Sequence, residues 1–179
     1  MTNNPIEKTV ETITYKGVEF EVVERPDVIW VGSVDYAENN SDEPNIEATH
    51  KRHYTELGGV EKKDLINPDF TGVLSINYTR DDKPNGLMFA QETSSDKQDE
   101  RYEQLTETGG LWLRVKLSAE SDNALLGRGN HGPWEYYGPL ESAAKSKGYI
   151  QNPDIDMSFE YSHNSGNGPI YVYIPIRAG

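Results

Sequence analysis

The chain has 179 residues, with thirty acidic and seventeen basic side chains, so its formal net charge is −13, and it has no cysteine. The lack of cysteine excludes disulfides, thiolate metal sites and a cysteine nucleophile. The negative charge repels phosphate backbones and favours cationic partners, so direct binding to nucleic acid is not expected.

The amino-terminal stretch MTNNPIEKTVET lacks the basic region and apolar run of a secretory signal. No stretch of the sequence approaches the roughly 20 apolar residues that a membrane helix needs. We therefore expect a cytoplasmic, bacterial-type protein that does not associate with a membrane.

The first third of the chain predicts a hairpin, a strand and a helix. The hairpin TVETITYKGVEFEVVE turns at residues 16–17, and the strand covers residues 28–36. Asp42 and Pro44 supply the cap and the first turn of a helix that ends near Leu57, because two glycines follow it.

The remaining elements form two similar sets. Turn formers in DDKPNG join strands at residues 74–79 and 87–92 into a hairpin, and the acidic stretch SSDKQDE then reads as a linker. The second set comprises a strand at residues 111–118, a helix at residues 139–147 and hairpin strands at residues 157–162 and 170–176.

Three pairs of segments repeat in the same order. LSINYT and MSFEYS begin at Leu74 and Met157, and FEVVERPDVIWVGSVDYA matches YEQLTETGGLWLRVKLSA with a tryptophan at the same place in each. HYTEL and YYGPL match between them. The repeats predict one domain with an extension at residues 1–19, a βαββ unit at 20–93, a linker at 94–101 and a second βαββ unit at 102–179.

The predicted fold class is α+β, with a mostly antiparallel sheet, helices on one face and a ligand cleft where the units meet. Strand alternation gives one aliphatic face, which we expect beneath the helices. The other face is predicted to carry Trp30, Trp112, Tyr171, Tyr173, Met88, Ala90, Glu92, Asn77 and Glu160. Such a face is typical of a ligand surface, although cross-strand aromatic packing would give the same pattern.

Two short motifs resemble a known family. Gly132, Pro133, Trp134 and Glu135 precede the second helix in HGPWEYYGPLESAAKSKGY, and the chain closes on YVYIPIR. Together with the repeated units, these motifs resemble the GyrI-like small-molecule-binding domain, the effector-binding part of multidrug-responsive bacterial transcription activators. The resemblance spans residues 20–177. No helix-turn-helix segment is visible, so the chain looks like a stand-alone binding module.

The resemblance implies an aromatic, acidic cleft that binds flat, cationic or amphipathic compounds, which aromatic rings and a partly desolvated carboxylate would attract. The expected ligand-binding residues are Trp30, Trp112, Tyr171, Tyr173, Glu160, Glu92, Met88 and Trp134. Members of the family often carry a glutamate where this chain has Tyr171. The acidic role therefore passes to Glu160 or Glu92, or the ligand is uncharged. Trp134 either closes over the ligand or staples the helix entry.

Two other functions stay open. A hydrolase of a reactive small molecule would use Glu160 or Glu92 as the base and a tyrosine such as Tyr171 as the acid. A protein-binding inhibitor or partner of gyrase type would use the acidic surface.

No cofactor or metal is expected. The loop GRGNHG lacks the strand and helix context of a dinucleotide site, and no further ligands support the pair His50 and His53.

Overall fold

Ten strands and three helices are present in the parts of the chain that this computed structural model describes, residues 4–38 and 43–179. The strands are β1 (Lys8–Tyr15), β2 (Val18–Arg25), β3 (Val28–Tyr36), β4 (Phe70–Ile76), β5 (Gly86–Thr93), β6 (Glu103–Glu107), β7 (Gly110–Lys116), β8 (Tyr149–Gln151), β9 (Met157–His163) and β10 (Ile170–Ala178). The helices are α1 (Ile46–Lys51), α2 (Ala119–Leu125) and α3 (Tyr137–Lys145). No helix in these two ranges is long and apolar enough to cross a membrane.

The strands form one antiparallel sheet in the order β1-β2-β7-β10-β9-β4-β5-β3-β6, and β8 pairs with β10. This arrangement confirms the predicted α+β class. The central pair is β9 and β4, the two strands with the similar sequences MSFEYS and LSINYT. From that pair the order runs outward through β10 and β7 on one side and through β5 and β3 on the other. The duplication itself stays a prediction.

The first helix begins later than predicted. Asn45 is its N-cap, because the Asn45 side chain accepts a hydrogen bond from the Ala48 backbone N–H at 3.0 Å. The predicted cap, Asp42, lies outside the described residues. A π-helical turn, Arg52–Glu56, continues α1 and ends before Leu57, close to the predicted end.

Three elements were missed by the sequence analysis. The mostly polar β6 pairs with β3 at one edge of the sheet, where a strand needs little apolar sequence. The second missed element is α2, which starts at a capping box formed by Ser118 and Ser121. The preceding strand, predicted to continue to Ser118, therefore stops at Lys116. The three-residue β8 is too short to show a periodic pattern.

The sheet has a core on each face. On one face, α3 covers an aliphatic cluster that includes Leu113, Val172 and Ile174. On the other face, an aromatic cluster crosses the sheet from Trp112 to Trp30. The Trp30 ring lies directly over Gly72, where a Cβ atom would sit 2.6 Å from it, so the missing side chain makes room for the indole.

Candidate functional site

A cavity of about 730 Å³ lies on the helix-covered face of the sheet, between α1 and the start of α3. Its floor is made by the two central strands, β4 and β9, so it occupies the junction of the two predicted units. Its apolar and aromatic lining includes Val73, Leu87, Phe89, Tyr137 and Ile174. This volume is typical of a pocket for a drug-sized molecule.

Glu160 lies on the floor of this cavity, on β9. The register pairs Glu160 with Val73 on β4 and with Val172 on β10, so aliphatic side chains flank the carboxylate on both sides. Within residues 4–38 and 43–179, no group donates a hydrogen bond to it. Burial raises the pKa of Glu160 from its usual value to about 7, because removal from water disfavours the ionised form.

Aromatic side chains form the mouth of the cavity. Trp134 stands in the 3₁₀ turn before α3 with 66% of its surface exposed, and Tyr78 is 41% exposed. The Trp134 ring folds back over Gly132, where a Cβ atom would come within 1.9 Å of it. Trp134 thus borders the pocket, and its predicted contact with a ligand stays a prediction.

The charged residues that line the cavity in the described chain are all acidic. Glu43 accepts a hydrogen bond from the Tyr78 hydroxyl at 2.6 Å, and Glu141 pairs with Lys145 at 3.0 Å on the exposed side of α3. Glu160 lies deeper than either. Burial, and then the charge of Glu160, raise the pKa of the nearby Tyr137 hydroxyl. The cavity is therefore apolar, aromatic and negatively charged.

The elevated pKa of Glu160 predicts a pH dependence of stability. In the unfolded chain this carboxyl ionises near pH 4.5, whereas the folded chain holds its proton up to about pH 7. Between these values the folded state binds more protons, so the free energy of unfolding falls as the pH rises.

Glu160→Gln removes this loss, because the amide does not titrate. We expect the variant to be more stable than the wild type by about 2 kcal/mol at pH 8 and equally stable at pH 4, measured by urea denaturation. Glu120→Gln, at an exposed position on α2, is the control that removes one charge elsewhere. Parallel stability curves for Glu160→Gln and the wild type would contradict the expectation.

The predicted grouping of Glu160 with the aromatic residues was wrong. On β9, Phe159 and Tyr161 face the aromatic cluster, so the alternating Glu160 faces the helices instead. Asn77 does not belong to the aromatic face either, because it follows the end of β4 with a φ of 66°. The alternation within MSFEYS was the signal that should have separated Glu160 from its neighbours.

The other predicted residues lie together on the aromatic face, which is a closed core and not an open cleft. Trp30, Trp112, Tyr171, Tyr173 and Met88 are completely or almost completely buried there. Phe159, which was not predicted, stacks on Tyr173 with ring centroids 4.3 Å apart and contacts both tryptophans. The alternative prediction of cross-strand aromatic packing describes this face better than a ligand surface does.

Glu92 lies on the same aromatic face but within a buried charged network. Its carboxylate accepts hydrogen bonds from Arg25 at 2.6 Å, from Asn4 at 3.1 Å and from the Tyr161 hydroxyl. Arg25 also donates to Glu107 through Nε and Nη2, at 2.9 and 3.0 Å. Burial raises the pKa of Glu107 although Arg25 acts against it.

The acid and base predicted for a hydrolase do not meet. Tyr171 and Tyr173 lie on the opposite face of the sheet from Glu160, and Glu92 contacts Tyr161 instead. His53 is buried, and its burial lowers its pKa to about 3. Among residues 4–38 and 43–179, no group of three histidines or carboxylates could hold a metal ion.

A scan against protein-family models found no match, and a search of curated protein sequences found none. Solved structures do match. The EcmrR C-terminal domain is 12% identical, with a TM-score of 0.59 over 90% of this chain and 99% of that one. SAV2435 bound to tetraphenylphosphonium is 13% identical, with a TM-score of 0.59 over 88% of this chain and 93% of that one.

A Staphylococcus aureus protein provisionally described as a bacterial transcription regulation protein is 14% identical, with a TM-score of 0.62. That match covers 90% of this chain and 100% of the other. At such low identity, the likeness concerns the fold alone. The chain therefore shares the fold of the EcmrR C-terminal domain and of SAV2435.

Proposed function

We propose that this chain binds small lipophilic cations in the cavity between α1 and α3, with Glu160 as the counter-charge. The observation that carries the proposal is the position of this carboxylate, at the floor of an apolar pocket and without a hydrogen-bond donor in the described chain. The expected ligands are flat or bulky aromatic compounds with one positive charge. The natural role would be that of a GyrI-like effector-binding module.

The physical argument rests on the cost of burying an ionised carboxylate. Without a cation beside it, Glu160 lowers that cost by holding a proton, as its pKa of about 7 indicates. A bound cation would replace the proton and stabilise the ionised form. Phe89, Tyr137 and Trp134 would add apolar contact and cation–π attraction, which favour an aromatic cation over a small inorganic one.

One of the matched structures supports the same class of ligand. SAV2435, which has the same fold, was solved with tetraphenylphosphonium, a lipophilic aromatic cation. The acidic residues at the mouth, Glu43 and Glu141, would attract such a molecule and disfavour anions. A capacity to bind several cations would follow from walls that offer apolar contact and few directional hydrogen bonds.

Tryptophan fluorescence can test where a cation binds, because Trp134 lines the cavity while Trp30 and Trp112 lie on the other face. Titration with tetraphenylphosphonium should change the emission of the wild type saturably. The change should persist in Trp112→Phe and disappear in Trp134→Phe, while calorimetry still detects binding to both variants.

Two outcomes would contradict the proposed site. The first is the absence of both a fluorescence change and binding heat at millimolar cation. The second is a fluorescence change that survives in Trp134→Phe and is lost in Trp112→Phe, because that pattern would place the cation on the aromatic face.

A further inference from the structure

Residues 4–7 precede β1 and reach the aromatic face through their side chains. Among the described residues, a backbone hydrogen bond runs from the Glu7 N–H to the Asn4 carbonyl, at 3.1 Å, and lies within the segment. Ile6 packs against the aromatic cluster, and the Asn4 amide donates to Glu92 at 3.1 Å. The Glu7 side chain is only 4% exposed. The segment thus inserts polar and apolar groups as a bound ligand would.

Besides a long hydrogen bond from the Asn4 side-chain amide within the segment, at 3.4 Å, the Glu7 carboxylate is held by three donors from the rest of the chain. Arg25 donates through Nη1 at 2.5 Å, Arg114 donates through Nη1 at 2.6 Å, and the Tyr173 hydroxyl donates at 2.8 Å. Two guanidinium groups and a phenol around one carboxylate are an arrangement that proteins use to recognise organic acids.

The two arginines among these donors are positioned by groups other than Glu7. Glu107 holds Arg25 with two hydrogen bonds, and Glu92 accepts a third at 2.6 Å. Glu21 holds Arg114 through Nη2 at 3.3 Å. Because these contacts do not involve the segment, the guanidinium groups should keep their places when Glu7 withdraws, which is the preorganisation that a binding site requires.

We propose that this cluster is a second binding site, for the carboxylate of a small organic acid, and that Glu7 is its built-in occupant. An external carboxylate displaces residues 4–7 and takes the same three donors. The site is separate from the cavity of the proposed function, because Glu160 and Tyr161 project to opposite faces of β9. Its three donors suit a carboxylate, whereas the charged residues that line the cavity in the described chain are acidic.

Competition with the Glu7 carboxylate sets the affinity of the cluster for an external acid. A tethered carboxylate acts at an effective concentration in the millimolar range, so an external acid binds weakly to the wild type. Without the Glu7 carboxylate, the same acid should bind at least about tenfold more tightly.

The first test uses Glu7→Ala and thermal unfolding with acetate or benzoate. Chloride at equal ionic strength and the neutral analogues acetamide and benzamide are the controls. Both carboxylates should raise the Tm of Glu7→Ala saturably, and the amides should not. Glu11→Ala is the matched variant, because Glu11 lies on β1 and accepts a hydrogen bond from Tyr149 at 2.6 Å, away from the cluster. An equal response to carboxylates and amides in Glu7→Ala would overturn the proposal.

The second test uses hydrogen exchange in the wild type, so it does not depend on the folding of a variant. The Ile6 and Glu7 amides are hydrogen-bonded within the segment. Millimolar benzoate should accelerate their exchange and leave the protection of β2 and β7 unchanged. If Glu7 were only a structural anchor, benzoate would not change the exchange of these two amides. Exchange of these two amides only through global unfolding, with or without benzoate, would show that Glu7 is fixed and the proposal wrong.

Discussion

Glu160→Gln is expected to weaken the binding of tetraphenylphosphonium at pH 8 by about ten- to a hundredfold. The variant keeps the shape of the side chain and removes the charge from the floor of an apolar cavity. A charge that is largely removed from solvent is less screened than a surface charge, so its loss should cost more than the loss of a surface charge. Isothermal calorimetry on the wild type and the variant measures the difference.

The same carboxylate should make binding depend on pH. With a pKa of about 7, most of Glu160 is protonated at pH 6 and most is ionised at pH 8. A permanent cation binds the ionised form, so its affinity should rise by about tenfold between pH 6 and pH 8, and Glu160→Gln should show no such rise. Glu120→Gln should behave as the wild type. Equal affinity of all three proteins at both pH values would exclude Glu160 as the counter-charge.

Arg25→Met is expected to lower the free energy of unfolding by about 3–5 kcal/mol. The Arg25 side chain is fully buried, and it pairs with Glu7, Glu92 and Glu107. Methionine would replace much of its volume but leave these carboxylates without their shared cation. The rings of Trp30 and Phe159, which the guanidinium contacts, would lose that contact as well.

Urea denaturation at pH 7 measures this loss. Arg101→Met is the matched control, because Arg101 is exposed and pairs with Asp99 within a loop, so the change should leave stability nearly unchanged. Arg25→Met combined with Glu107→Leu should recover part of the loss, since one of the two fully buried carboxylates then disappears. An Arg25→Met protein as stable as the wild type would show that the network contributes little.

The strands of the sheet could be predicted because their alternation and turn residues are local. The hairpin of β9 and β10 was located from MSFEYS and the closing strand YVYIPIR. The capping box at Ser118 could also have been predicted from the sequence, but Ser118 was assigned to the end of the preceding strand. The predicted boundaries of β4 and α1 differ from the observed ones by a few residues. The N-cap Asn45 starts α1, and the positive φ of Asn77 follows the end of β4, although the sequence pattern continues past both points.

The candidate site was predicted only in part. Glu160 and Trp134 were named from the sequence, and both line the cavity. The cavity itself depends on how far α1 and α3 stand apart above the central strands, which no local pattern records. The charged network could not be foreseen either, because Arg25, Glu107 and Glu7 are far apart in sequence and meet only when the sheet is assembled.

Proton release during binding is the most direct test of the central claim that a cation replaces the proton on Glu160. Calorimetry with tetraphenylphosphonium in two buffers of different ionisation enthalpy gives the number of protons released. The account predicts close to one proton at pH 6, almost none at pH 9, and none at either pH for Glu160→Gln. Saturable binding without proton release at pH 6 would contradict it, because the cation would then lie away from this carboxylate.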